Sequence, residues 1–360
     1  MQYHKFQILA INPGSTSTKI GLFENIKPVF IKKIKHSADE LRRFEHINDQ
    51  YEYRKDAIIR ELENIDFPLS NINIIMARGG LVKPIASGIY EVNEAMLHDL
   101  RNGVMGEHAS NLGGLIAADI AKLCVGAKAY IADPVVVDEL QEVARISGHP
   151  LFKNSSIFHA LNQKAIARRH ANSINRTYED INLIIAHLGG GISVGAHCRG
   201  KVIDVNNALD GDGPFSPERS GSLPAKQLME LCFRGDYQKE DVEKIIVGEG
   251  GYTGYFGTND AYEIEKNADS GDMQCRLIQE AMAYQVAKSI GSMAAVLKGE
   301  VEAILLTGGI ANDLHICNYV RSMVNFIAPV IAYPGEDELS ALAQNGLMLM
   351  KGTLQPLAYE

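Results

Sequence analysis

Residues 8–23 read Ile-Leu-Ala-Ile-Asn-Pro-Gly-Ser-Thr-Ser-Thr-Lys-Ile-Gly-Leu-Phe. Four apolar residues, Ile8 to Ile11, spell a buried strand. Asn12-Pro13-Gly14 breaks it, and a hydroxyl run of Ser15, Thr16, Ser17 and Thr18 follows. Lys19 then leads into a second apolar strand, Ile20 to Phe23. Gly14 lets the backbone approach a ligand closely, and hydroxyls with main-chain N–H groups make a cradle for an anion. Lys19 adds a point charge suited to phosphate. A Walker loop would need GxxxxGK[ST] between a strand and a helix. Here β-favouring residues lie on both sides. The expectation is therefore a phosphate turn within a β-hairpin, weighed against an ordinary polar turn.

The same pattern recurs about 175 residues later. A strand at 181–186 meets His187-Leu188-Gly189-Gly190-Gly191, a return strand follows at 192–197, and Arg199-Gly200 turns into a third at 201–205. Three glycines at a strand end expose N–H groups that suit phosphate oxygens, and His187 can donate a hydrogen bond. The repetition implies a duplicated α/β unit. Around it, strands are expected at 28–34, 73–77, 127–132 and 303–306. Helices are expected within 37–64 and at 91–100, 109–124, 154–171, 224–233, 239–247 and 272–297, with a last one from Pro334-Gly335 to about 351. No Gly/Ser or Pro linker separates the halves. The expected division is a first domain of residues 1–136 with 341–360, and a second of 137–340.

Composition narrows the function. With 360 residues, 46% hydrophobic and 22% charged, the chain suits a globular protein of about two domains. A net charge of −9 without a basic tract argues against nucleic-acid binding. No apolar run approaches 18 residues, so no membrane span is expected. Residues 1–12 lack a long apolar core, so no signal peptide is expected. Five scattered cysteines without CxxC read as reduced thiols of a cytoplasmic protein.

Several single residues stand where chemistry is expected. Arg78 follows a buried strand and precedes Gly79-Gly80, and Arg219 sits in a Pro/Gly-rich segment, residues 210–221. A guanidinium matches carboxylate or phosphate bidentately, although either arginine alone reads equally as a surface ion pair. Asp133 ends a strand, where open α/β sheets place ligands, or it is a turn cap. His159, after Phe158 in a helix-like stretch, reads equally as a satisfied core histidine. Thr307-Gly308-Gly309-Ile310 suits a flat ring lying over backbone. Glu336 and Glu338 open the last helix, as carboxylates near a metal or as residues favoured by the helix dipole.

In this order, and over essentially the whole chain, the motifs resemble the acetate and butyrate kinase family of the actin, sugar-kinase and Hsp70 superfamily. The resemblance implies a two-lobed α/β fold of the actin-like ATPase type, with duplicated βββαβαβα units about a central cleft. It implies reversible phosphoryl transfer between ATP and a short-chain carboxylate, giving ADP and an acyl phosphate, with Mg2+. It implies that Arg78 and Arg219 grip acid and phosphoryl group, and that Asp133 and His159 serve the transfer. Asn12, Ser15, Ser17, Lys19, His187 and Gly189–Gly191 would lie near phosphate, with Gly308, Gly309 and Ile310 against adenosine. Asp260 is placed on the nucleotide side. Tyr262 stands where the family often has a basic residue. Asn12 and an acidic residue, Glu338 rather than Glu336, would serve the metal.

The wording at 133–139 and 210–221 resembles the butyrate branch. This implies butyrate or a related short or branched acid, with an acetate or propionate kinase, a sugar kinase, or a non-catalytic actin- or Hsp70-like module as alternatives. Gly79 and Gly80 are expected to open room for a longer acyl chain walled by Phe158, or to serve a tight turn with positive φ. The resemblance also implies a homo-oligomer, a dimer or larger.

Overall fold

The computed structural model describes residues 5–360. Residues 1–4, part of the stretch read above as lacking a signal peptide, lie outside them. The chain forms two compact units, one of Met1–Val137 with Asp337–Glu360 and one of Asp138–Glu336.

The first unit holds a six-stranded sheet: β1 (Gln7–Pro13), β2 (Ser17–Glu24), β3 (Lys27–Lys35), β4 (Ile74–Arg78), β5 (Ile89–Glu91) and β6 (Lys128–Ala132). Its order is β3-β2-β1-β4-β6-β5. The hairpin β1-β2-β3 is antiparallel, and β4 joins β1 and β6 in parallel. Ile8, Leu9, Ala10 and Ile11 are all wholly buried, as expected of a strand covered on both faces. The covers are the helices Asn111–Leu123 and Glu338–Met350. Gly346 closes on Met76 and Ile8, whereas Gly113 closes on Ala77, the next residue of β4, and so on the opposite face.

The second unit repeats the plan with β7 (Asn182–Leu188), β8 (Ile192–Cys198), β9 (Lys201–Val205), β10 (Ala303–Gly308) and β11 (Val330–Pro334), ordered β11-β10-β7-β8-β9. Again the first three strands are antiparallel and the next two run parallel to β7. Even the register slip recurs, at Leu22/Phe23 in one hairpin and Ala196/His197 in the other. The main core of this unit packs the 24-residue helix Met273–Val296 and the helix Leu314–Val324 against the sheet. The helix Ala160–Ser173 and Tyr178 cover Leu183, Ile185 and Leu305.

Four local expectations are corrected. The turn after β1 is shorter than expected, and Lys19 lies inside β2. Residues 89–91 form β5 before a helix that starts only at Glu94. The expected 154–171 helix begins at Ala160, so His159 is its N-cap rather than a helical residue. The helices Gly251–Phe256, Ala261–Asp269 and Leu314–Val324, and strand β11, had not been expected. Among the described residues, no helix is long and apolar enough to cross a membrane.

Candidate functional site

In the first unit the turn is held from beneath. Arg54, from the helix Tyr51–Glu63, is 1% exposed, and its five acceptors are neutral oxygens. It donates to the carbonyls of Gly14 (2.6 Å) and Ser15 (2.9 Å), and Gln50 Oε1 (2.7 Å) braces it. In a trans peptide the C=O and the following N–H point opposite ways. With the carbonyls of Gly14 and Ser15 turned in to Arg54, the N–H groups of Ser15 and Thr16 face away from it. This is the arrangement an anion-binding nest needs. Burial lowers the Arg54 pKa to about 10, so the guanidinium stays charged at neutral pH. Thr18 bonds His36 (2.9 Å), whose pKa burial, aided by the Arg54 charge, lowers to about 4. Ser15 is exposed and Ser17 half-buried. Lys19 pairs with Asn12 across β1 and β2, so both side chains leave one face.

On the same unit, Arg78 ends β4 and reaches Glu338 at 3.4 Å and Asn12 Oδ1 at 3.5 Å. Asn12 in turn donates to Glu338. Both Asn12 and Glu338 are buried, while a fifth of the Arg78 side chain stays exposed. Glu338 is therefore the carboxylate that meets Asn12 and Arg78. Glu336 belongs to the other unit, 3.4 Å from His187.

The expected role of Gly79 and Gly80 does not stand. A Cβ on Gly80 would lie 2.5 Å from Asn111 Cα, and one on Gly79 would lie 2.5 Å from Pro134 Cβ. The space that a side chain would vacate is filled by protein. Gly80 seats the end of β4 on the helix Asn111–Leu123, and Gly79 lets it close on Ile131 and Pro134. Phe158 is 2% exposed and is core in its own unit. Asp133 is buried with φ +39°, an uncommon backbone for a residue with a side chain. Its carboxylate accepts from the Ser87 hydroxyl (2.6 Å) and the Gly88 N–H (3.0 Å), so capping is part of its work.

In the second unit, His159 and His187 stack with ring centroids 3.8 Å apart and planes 11° from parallel. His187 Nδ1 bonds Asn162 Oδ1 (2.8 Å), and His159 Nδ1 meets Ser193 Oγ (2.9 Å). The glycine turn beyond β7 is tied to the Arg219 loop. Ser216 Oγ donates to the Gly190 carbonyl (2.5 Å), Ser216 N–H to the Arg219 carbonyl (3.0 Å), and the Arg219 guanidinium to the Ala208 carbonyl. A Cβ on Gly191 would run into that guanidinium, so this glycine makes room for Arg219. Gly190, at the tip, is exposed.

Beside this turn lies a cavity of about 460 Å³, a size suited to a small organic ligand. Gly189, Gly190, Glu218, Asp260, Tyr262, Gly309, Ile310 and Glu336 line it. Gly308, at φ +92°, lets the end of β10 close on the Leu188 backbone, and it exchanges hydrogen bonds with Gly335. That brings Gly309 and Ile310 to the cavity wall. Asp260 caps the helix Ala261–Asp269 through the N–H groups of Tyr262 (3.0 Å) and Glu263 (3.2 Å), while Tyr262 is mostly exposed.

Sequence reasoning missed Arg54, Asn162, Gln163, Ser193, His197 and Glu218. One signal was available for two of them. Ser193 and His197 are polar residues on one face of β8, both wholly buried in an otherwise apolar strand.

The two sheets, each an antiparallel triplet continued by two parallel strands, with β5 added antiparallel at the edge of the first, place the chain in the actin-like ATPase class of mixed α/β folds. An acetate kinase of Porphyromonas gingivalis shares this fold with a TM-score of 0.77 at 18% identity, over 96% of this chain and 100% of that one. A propionate kinase from Francisella tularensis subsp. tularensis SCHU S4 does so with a TM-score of 0.72 at 20% identity, over 94% and 98%. Butyrate kinase 2 of Clostridium acetobutylicum is 53% identical over 356 residues, covering 99% of this chain and all of that protein. The sequence profile of the acetokinase family matches residues 156–328. The chain belongs to the acetokinase family.

Proposed function

We propose that the protein is a carboxylate kinase that moves the γ-phosphoryl group reversibly between ATP and butyrate, or a related short or branched acid. The observation that carries this reading is the full-length 53% identity to a butyrate kinase. A carboxylate oxygen forms the new bond to phosphorus while the bond to the ADP oxygen breaks. The acid is already ionised at neutral pH, so no general base is required. The residues then act by positioning and by spreading charge.

In the second unit the Gly189–Gly191 turn, with His187, receives phosphate oxygens. The cavity between Glu218, Asp260 and Ile310 takes the nucleoside. Arg219 and the Nε2 of His159 stabilise charge on the transferring group. In the first unit Arg78 receives the acid carboxylate, Ser15, Ser17 and Lys19 offer further phosphate contacts, and Asp133 orients the acceptor.

Glu338 and Asn12 would hold Mg2+. Their oxygens, a carboxylate and a side-chain amide carbonyl, are hard ligands. That suits an ion which keeps water and substrate oxygens and takes only one or two carboxylates. Glu218 and Glu336 at the glycine turn add negative charge, which favours a nucleotide already paired with a cation. When bound, Mg2+ neutralises phosphate charge. An oligomer and a cytoplasmic setting complete the proposal.

The test is ATP with acetate, propionate, butyrate, isobutyrate or valerate, trapping acyl phosphate with hydroxylamine. The expected kcat/KM peaks at three to five carbons. Each methylene buried is worth about 0.8 kcal/mol, so butyrate should exceed acetate by about 10-fold. An optimum at acetate would replace butyrate with acetate as the substrate. No hydroxamate with any acid would overturn the kinase reading.

A further inference from the structure

His159 is one end of a buried hydrogen-bonded chain. Ser193 Oγ meets its Nδ1 at 2.9 Å. Gln163 Nε2 meets Ser193 Oγ at 2.8 Å and the Ser193 carbonyl at 3.0 Å. Gln163 Oε1 meets His197 Nε2 at 2.8 Å, and His197 Nδ1 meets the Tyr178 hydroxyl at 2.6 Å. Ser193, Gln163 and His197 are all wholly buried, and Tyr178 is 3% exposed.

The direction of every proton in this chain follows from one group that can only accept. The Ser193 carbonyl has lone pairs and no hydrogen, so the Gln163 atom facing it is the amide nitrogen. The other amide atom is then oxygen, and His197 Nε2, which faces it, must carry hydrogen. Burial, reinforced by the nearby charge of Lys164, holds His197 neutral. Its Nδ1 is therefore a lone pair, and the Tyr178 hydroxyl donates to it.

At the other end, Ser193 Oγ already accepts from Gln163, and weakly from the His159 main-chain N–H at 3.4 Å. Its own proton has one acceptor, the Nδ1 of His159. Were that nitrogen protonated instead, three N–H groups would converge on one buried hydroxyl whose own hydrogen had no acceptor.

The fold makes room for this chain at one position. Ser193, Gly195 and His197 share a face of β8. A Cβ on Gly195 would lie 2.9 Å from Gln163 Oε1 and 3.3 Å from His197 Nε2. The missing side chain is the slot through which the Gln163 amide bridges its two partners.

We propose that His197, Gln163 and Ser193 are positioning residues that lock His159 in the tautomer with hydrogen on Nε2, making it a fixed hydrogen-bond donor. Its value to catalysis rests on the reading above that His159 faces the transferring phosphoryl group. A donor aimed beforehand costs no reorganisation when charge develops. A wrongly tautomerised imidazole presents a lone pair to an anion.

The experiment uses the full chain labelled with 15N-histidine at about pH 8, where an ordinary histidine is neutral. Long-range 1H–15N correlation reads the tautomer, with His159→Gln assigning the signal. The expected wild-type His159 carries hydrogen on Nε2 alone. Gln163→Leu and Gly195→Ala should each show a mixed tautomer and lower kcat by about 10-fold, with KM for ATP changed less than twofold. Gly195→Ala meets only the ends of three side chains, Gln163, His197 and Val202, and no backbone, so it serves if Gln163→Leu does not fold. Tyr178→Phe should leave the tautomer intact and kcat within twofold, since the Gln163 oxygen still requires the His197 Nε2 hydrogen. Hydrogen on Nδ1 of wild-type His159, or a single unchanged tautomer in both Gln163→Leu and Gly195→Ala, overturns the proposal. Full turnover in His159→Ala would overturn the catalytic reading instead and leave the tautomer assignment standing.

Discussion

Arg54 and Arg78 are both cations of the first unit, and burial separates what each can do. Arg54 is enclosed and surrounded by the carbonyls of the turn it shapes. Arg78 keeps a fifth of its side chain exposed and leans on Glu338. Arg54→Ala would strand several inward-facing oxygens, each costing about 1–3 kcal/mol when left unpaired. The expected loss is about 3 kcal/mol or more in urea unfolding followed by circular dichroism, and a loss below about 1 kcal/mol would contradict the turn-shaping role. Arg78→Ala is expected to keep its urea midpoint and lose at least about 100-fold in kcat, the scale of a charge-stabilising donor at a transferring phosphoryl group. Arg78 was legible in the sequence because it stands at a strand end before two glycines. Arg54 was not, because it sits among other charged helical residues and its partners on the turn lie 36 to 40 positions away. No local pattern marks which of several arginines folds inward.

At the level of elements, both hairpin turns were legible, since an apolar run that stops at hydroxyls or glycines and resumes has few other readings. What the glycines do was less legible. Gly79-Gly80 reads in sequence as missing bulk or as a left-handed turn, yet neither has a positive φ, and both abut protein atoms. Close packing between a strand end and a helix start depends on a partner, here Asn111, that only the tertiary fold supplies. Gly80→Val is therefore expected to destabilise the protein by about 1–3 kcal/mol, the range for overpacking. Its preference among acetate, propionate, butyrate and valerate should match the wild type. A stable Gly80→Val with an optimum moved to acetate would restore the acyl-pocket reading. Short elements escaped for a related reason. Strand β5 has three residues, and β11 is half-buried along most of its length, so neither carries a periodicity long enough to read.

Across the whole molecule the same unit is used twice, and in each the first hairpin is braced by buried polar side chains. The bracing includes histidines held neutral. Burial lowers His36 to about 4 and, with the Lys164 charge, lowers His197 well below 6.5; burial also lowers His170, which bonds the Tyr333 hydroxyl. These histidines have ordinary pKa values near 6.5 once the chain unfolds. As pH falls through that value, the unfolded chain binds protons that the folded chain refuses, and stability drops. The effect is absent above about pH 7. It grows downward to the folded value, about 4 for His36, with a limiting slope of about 1.4 kcal/mol per pH unit for each histidine. Carboxylates held low by partners, such as Asp99 beside the Tyr359 hydroxyl, lose their contribution only at still lower pH. Two acid windows are therefore expected, with the histidine window first. Since the chain has no tryptophan, circular dichroism is the probe. Urea midpoints measured at several pH values between 7.5 and 4.5 should fall below pH 6.5, and His36→Gln, which cannot take a proton, should show a shallower fall. Midpoints that stay level to pH 4.5 would mean that the buried histidines titrate as freely in the folded protein as in the unfolded chain.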